Sequence, residues 1–118
     1  MSKILIVDDS RTSRKILRTL LEEAGHEIVA EAENGQDGVE KYKEFKPEVT
    51  TLDITMPVMD GLEALPKIKE AHPEITVVMV SAAGQKNKVM EALKNGASDF
   101  LQKPFEPEDV ISVLKKFV

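Results

Sequence analysis

Acidic side chains stand at the ends of two apolar stretches of the sequence. Asp8 and Asp9 follow the first stretch, and Asp53 follows the third. Ser81 and Lys103 come after the fourth and the fifth. Clustered carboxylates repel each other unless a counter-ion is present, and hard cations such as Mg²⁺ prefer oxygen ligands. Together these residue types indicate phosphoryl transfer, with an aspartate as nucleophile, an ammonium and a metal to neutralise charge, and a hydroxyl as hydrogen-bond donor.

Short β-branched segments alternate with longer segments of helical periodicity, and this alternation predicts the sheet that positions these side chains. Five β-α units in succession predict an α/β fold, with a five-stranded parallel sheet and helices on both faces. Because ligands bind beyond the carboxyl ends of parallel strands, the polar residues are expected to converge at one edge of the sheet. The predicted strands are Lys3–Val7, Glu27–Ala32, Glu48–Leu52, Ile75–Val80 and Ser98–Gln102.

Local patterns within the predicted helices add three expectations. The segment from Asp60 to Glu63 has the form of a capping box at a helix start. Pro66 lies inside the same helix and is expected to kink or shorten it. The first helix carries an apolar face and a basic stripe, which is either solvent-exposed or a docking surface for a kinase or another partner. The apolar residues are Ile16, Leu17, Leu20, Leu21 and Ala24, and the basic residues are Arg11, Arg14, Lys15 and Arg18.

The composition excludes several functional classes. The 118 residues carry 21 acidic and 16 basic side chains, a net charge of −5, which argues against non-specific nucleic-acid binding. Without cysteine there is no disulfide or thiolate chemistry, and the two histidines lie away from the strand ends, which disfavours zinc. No signal peptide or membrane-length apolar stretch is present, so we expect a cytoplasmic monomer with one domain over residues 1–118 and no output domain.

The strand-end motifs resemble the receiver domain of two-component response regulators. The resemblance spans the whole chain and rests on Asp8-Asp9, the segment 52–61, Ser81-Ala82 and Lys103-Pro104-Phe105. It implies the strand order 2-1-3-4-5, an order associated with the flavodoxin-like fold of the chemotaxis receiver. The fold expected is therefore CheY-like, an open parallel sheet with its site at the carboxyl edge.

The resemblance also implies a metal site. Asp53 corresponds to the phosphoacceptor. Asp9 and Asp53 would ligate Mg²⁺ directly, Asp8 would act mainly through a water, and Thr55 would offer its backbone carbonyl. This donor set is all oxygen, as expected for magnesium.

Further implied roles concern the phosphoryl group and the response to it. Lys103 would pair with the phosphoryl group, and the Ser81 hydroxyl would donate a hydrogen bond to it, assisted by the backbone N–H of Ala82. The bond between Lys103 and Pro104 is expected to be cis. Phe100 occupies the place of the aromatic switch residue, and the competing interpretation is an ordinary core phenylalanine.

Within the family, the sequence is most similar to stand-alone chemotaxis receivers. That implies phosphorylation by a histidine kinase (CheA-like), binding of the flagellar motor switch protein through residues 86–117, and a dedicated phosphatase as a further partner. The chain would assist its own phosphotransfer and dephosphorylation without being an enzyme. One alternative is a phosphorelay intermediate that passes phosphate to a second histidine domain. Another is an FMN-binding protein of flavodoxin type, in which Asp8-Asp9 would repel the FMN phosphate.

Overall fold

Five strands alternate with five helices in the computed structural model, which describes residues 2–117. The two end residues of the expected 1–118 domain therefore lie outside the described part. No helix among the described residues is long and apolar enough to cross a membrane. The elements are β1 (Lys3–Val7), α1 (Arg11–Glu23), β2 (Glu27–Ala32), α2 (Gly35–Phe45), β3 (Val49–Asp53), α3 (Gly61–Ala71), β4 (Thr76–Ser81), α4 (Lys86–Lys94), β5 (Asp99–Gln102) and α5 (Pro107–Lys115).

The strands form one parallel sheet in the order β2-β1-β3-β4-β5, which confirms the fold class and the strand order. Three strands begin one residue later than predicted, and β3 and β4 also end one residue later. The pairing explains the later ends, because Asp53 is aligned with Val80 and Ser81 with Gln102. Both polar residues are thus the last members of their strands, held by ladder hydrogen bonds rather than by loops.

Helices cover both faces of the sheet, and each face has its own apolar core. Helices α1 and α5 pack on one face, while α2, α3 and α4 pack on the other. Both faces of the central strands are buried, as expected for a parallel sheet. The first core includes Ile4, Ile6, Leu17, Leu21, Val110 and Leu114, and the second includes Leu5, Val7, Val39, Leu65, Ile68 and Val89.

The inward face of α1 differs from the predicted one. Ile16 is 47% exposed, whereas Arg14 is buried. The Arg14 guanidinium donates from Nη1 to the backbone carbonyl of Asp8 over 2.7 Å and from Nε to Glu31 over 3.0 Å. Arg18 also bonds to Glu31. The basic stripe is therefore neither a plain solvated face nor wholly free for docking, because two of its members are tied to an acidic residue of β2.

Helix α3 continues without interruption through Pro66, so the expected shortening is not observed. Its start is fixed by the predicted capping box: Glu63 N–H donates to Asp60 Oδ1 over 2.8 Å, and the Glu63 side chain accepts from Asp60 N–H. Pro66 is exposed on the outer side of the helix. There, solvent can satisfy the carbonyl that loses its partner when proline lacks an N–H.

Candidate functional site

The carboxyl edge of the sheet brings together the predicted polar residues. Asp8 follows β1, Asp53 ends β3, Ser81 ends β4 and Lys103 follows β5. Asp9 lies beside Asp8, and each of the three carboxylates has an oxygen within 4.8 Å of the others. Two neighbouring strands and one loop thus build a compact acidic cluster, which we define as Asp8, Asp9 and Asp53.

Among the described residues, Lys103 is the cation that contacts this cluster. Its Nζ lies 2.9 Å from Asp8 Oδ2 and 3.2 Å from Asp53 Oδ2. Asp8 and Asp53 are 2% and 5% exposed, while Asp9 is open to solvent. The other oxygen of Asp8 accepts from the backbone N–H of Ser10 over 2.8 Å. One ammonium therefore serves two buried carboxylates, and the cluster keeps an excess of negative charge.

Burial and the charges of the cluster shift the pKa values of Asp53 and Lys103. Burial and, after it, the charge of Asp8 raise the pKa of Asp53 to about 6, although Lys103 opposes both effects. Burial disfavours the charged form of Lys103, but its hydrogen bond to Asp8 and the charges of both carboxylates together raise its pKa. Lys103 is therefore an ammonium at neutral pH, and Asp53 is a carboxylate that a second cation would stabilise.

The hydroxyl predicted to meet a phosphoryl group is buried next to the cluster. Ser81 is 3% exposed, and its Oγ donates to the carbonyl of Leu101 at a long 3.4 Å. Ser81 does not cap the following helix, because α4 begins at Lys86 and Gln85 is its N-cap residue. The Ser81 hydroxyl is weakly held and free to turn toward a better acceptor.

Gln85 was not anticipated from the sequence as part of this region. Its Oε1 accepts from the Ala82 backbone N–H over 2.7 Å, and its Nε2 donates to Thr55 Oγ1 over 2.7 Å. A polar residue just before a helix is a weak sequence signal, and nothing in the sequence ties it to Thr55. The side-chain amide of Gln85 is therefore hydrogen-bonded to Ala82 and Thr55, two residues that the resemblance assigned to the site.

Two further residues lie against the backbone carbonyls of the cluster residues. A Cβ added to Gly61 would lie 2.1 Å from the Asp53 carbonyl oxygen, so only glycine lets α3 start this close to β3. Arg14 holds the carbonyl of Asp8, as described above. The Asp60-Gly61 pair was visible in the sequence as a helix start, but its contact with the Asp53 backbone was not.

Phe100 lies outside the acidic cluster. It is 40% exposed on β5 and lines a groove of about 310 Å³ together with Gln85, Met90 and Leu93. The interpretation of Phe100 as an ordinary core residue is therefore wrong. The peptide bond between Lys103 and Pro104 is cis, as expected.

The fold and the site define a class: an open parallel α/β protein with a cation-compatible acidic cluster and a lysine at the carboxyl edge of its sheet. Over residues 4–115 the chain matches the family described as the response regulator receiver domain. The chain belongs to this family, and the receiver interpretation of the sequence is confirmed. The match favours it over the flavodoxin-type alternative.

Relatives and solved structures agree with this assignment. The chain is 49% identical to the chemotaxis protein CheY of Listeria monocytogenes, covering 98% of each chain. It is 46% identical to CheY of Thermotoga maritima, covering 97% of this chain and 95% of the relative. Its structure is similar to the receiver domain of NtrX from Brucella abortus, with a TM-score of 0.89, 34% identity, and coverage of 96% and 95%.

Proposed function

We propose that this protein is a chemotaxis response regulator that accepts a phosphoryl group from a histidine kinase on Asp53. The observation that carries the proposal is the position of Asp53, buried at the end of β3, beside two other carboxylates and 3.2 Å from the Lys103 ammonium. Membership of the receiver family and the CheY relatives support it.

The acidic cluster fits a magnesium ion. Its donors are carboxylate oxygens close enough to share one cation, and two of these carboxylates, Asp8 and Asp53, share the single ammonium of Lys103. Asp8, Asp9 and Asp53 would hold the ion together with the backbone carbonyl of Thr55. Bound Mg²⁺ would neutralise the oxygens of the incoming phosphoryl group.

In the transfer itself, the protein mainly positions the reacting groups and neutralises the charge on the phosphoryl oxygens. An oxygen of Asp53 attacks the phosphorus of a phosphohistidine, and the P–N bond breaks as the O–P bond forms. The imidazole nitrogen leaves with the electron pair and takes up a proton. Lys103 pairs with one phosphoryl oxygen, and the Ser81 hydroxyl turns from Leu101 to donate to another, as does the N–H of Ala82.

Acetyl phosphate with Mg²⁺ tests the phosphoacceptor without any kinase. We expect labelling of the wild type and none of Asp53→Asn, because an amide cannot form the acyl phosphate. Asp109→Asn is a matched control, since Asp109 is an exposed residue of the first turn of α5. Undiminished labelling of Asp53→Asn would overturn the assignment.

The partner proposed for the phosphorylated state is the flagellar motor switch protein, bound through α4, β5 and α5. This surface exposes three apolar side chains, Met90, Phe100 and Ile111. A motor-switch peptide should bind more tightly when beryllofluoride, a phosphoryl mimic, is added with Mg²⁺. Transfer of label from Asp53 to a second histidine domain, without such binding, would instead support the phosphorelay alternative.

A further inference from the structure

The carboxamide of Gln85 connects two loops that flank the acidic cluster. It accepts from the Ala82 N–H and donates to the Thr55 hydroxyl, each over 2.7 Å. Because a backbone N–H can only donate, Oε1 must face Ala82, and this fixes Nε2 toward Thr55. Both contacts are short and lie at an otherwise exposed surface, with Ala82 and Thr55 open to solvent and Gln85 half-buried.

Two acceptors, the Gln85 carboxamide oxygen and a phosphoryl oxygen, compete for the single hydrogen of the Ala82 N–H. In the proposed function it donates to a phosphoryl oxygen, but in this structure it is already bonded to Gln85. A charged phosphoryl oxygen is a stronger acceptor than a neutral amide oxygen, so phosphorylation favours exchange of one for the other. The exchange nevertheless costs the bond to Gln85, which reduces the net gain.

Gln85 is also the N-cap residue of α4. Its backbone carbonyl accepts from Val89 N–H over 3.0 Å, while its side chain makes no capping bond within the helix. The side chain instead ties the start of α4 to Thr55, two residues after Asp53. Gln85 lines the same groove as Met90 and Phe100. Release of its carboxamide would therefore free the end of α4 that borders the proposed partner surface.

We propose that Gln85 is a displaceable latch, a positioning residue whose carboxamide oxygen occupies the Ala82 N–H in the unphosphorylated protein. This oxygen must move away before a phosphoryl oxygen can accept a hydrogen bond from the same N–H. This inference rests on the proposed function. It predicts that the latch lowers the affinity of the site for phosphoryl-like groups and holds the start of α4 in its resting position.

The first measurement tests the latch in protein free of metal and phosphate. Amide hydrogen exchange of Ala82, followed by NMR, should speed up about tenfold in Gln85→Met, which keeps the length of the side chain but removes both hydrogen bonds. Gln36→Ala, a change at an exposed glutamine of α2, is the control and should leave Ala82 unchanged. Equal exchange in the wild type and Gln85→Met would overturn the latch.

The second measurement is a titration with beryllofluoride in the presence of Mg²⁺, read from NMR shifts. Gln85→Met should bind about three- to tenfold more tightly than the wild type, because no bond to the carboxamide has to break. Equal affinities, with clear binding by the wild type, would overturn the latch and leave the proposed function intact. Absence of binding by every variant would overturn the proposed function, and the competition with it.

Discussion

At the scale of single residues, Asp53 combines burial with an unbalanced negative charge. Its pKa of about 6 lies above the value of an unfolded chain, so in the absence of metal the folded protein binds a proton that the unfolded chain releases. The stability contributed by the protonated carboxyl is fully present below about pH 4 and is lost as pH rises through about 6.

The corresponding prediction compares the wild type with Asp53→Asn in the presence of a chelator. The amide stays neutral, so the variant should be more stable than the wild type at about pH 7.5, by on the order of 1–3 kcal/mol. The difference should shrink toward zero at about pH 4.5. Urea unfolding at both pH values measures it, and an equal difference at both would contradict the assignment of the shift to Asp53.

Val58 is a strained residue in the loop that follows β3. Its φ of 67° lies in the left-handed region, which a β-branched side chain rarely adopts, and it is 82% exposed. Its neighbour Met59 holds the loop in place, since the Met59 carbonyl accepts from Gly35 N–H over 2.8 Å. Hydrogen bonding of the loop, rather than the preference of valine, sets this backbone.

Val58→Asn should therefore stabilise the protein by about 1 kcal/mol, because asparagine tolerates the left-handed region and no buried contact is lost. The denaturant midpoint should rise with an unchanged slope. A midpoint at or below that of the wild type would show that the strain is relieved elsewhere.

At the scale of elements, the start of α3 and the end of β3 are packed backbone to backbone at Gly61. Gly61→Ala places a methyl group where only 2.1 Å separates it from the Asp53 carbonyl oxygen, so strand and helix must move apart. We expect a loss of stability of about 1–3 kcal/mol and a weaker Mg²⁺ affinity.

Gly25→Ala is the control variant for Gly61→Ala. Gly25 has a φ of 94° but no atom within 4 Å of an added Cβ, and it lies in the turn between α1 and β2. The Gly25→Ala variant should lose about 1 kcal/mol of stability and keep its Mg²⁺ affinity. If Gly61→Ala also kept its Mg²⁺ affinity, close packing at Gly61 would serve stability alone.

The sequence predicted which elements form, and it missed contacts between elements. The alternation of β-branched and helical segments predicted every strand to within a residue, but it placed Asp53 and Ser81 just beyond their strands. The pairing that makes them the last strand residues is a contact between strands, which a local pattern does not contain. Helical periodicity counted Ile16 as buried because it considers apolar residues only, while an ion pair with Glu31 draws Arg14 inward. Gln85 contacts a residue 30 positions away, which no local pattern reveals.

At the scale of the whole molecule, a bound cation should stabilise the fold by mass action, since the acidic cluster exists only in the folded chain. Mg²⁺ at about ten times its Kd would add about 1.4 kcal/mol, which raises the Tm of a chain of this size by about 5 °C. Asp9→Asn should reduce this shift without disturbing the core, because Asp9 is exposed. An Mg²⁺ shift equal to that of the wild type in Asp9→Asn would exclude Asp9 as a ligand.

The ion pair between Lys103 and Asp8 joins the last strand region of the chain to the first. During synthesis β1 and β3 leave the ribosome before β5, and domains generally fold as units. Until β5 takes its place at the outer edge of the sheet, Asp8 and Asp53 lack the Lys103 ammonium beside them. A nascent or partly folded chain would thus lack the arrangement proposed to receive a phosphoryl group, so a kinase would meet a competent acceptor only in finished molecules.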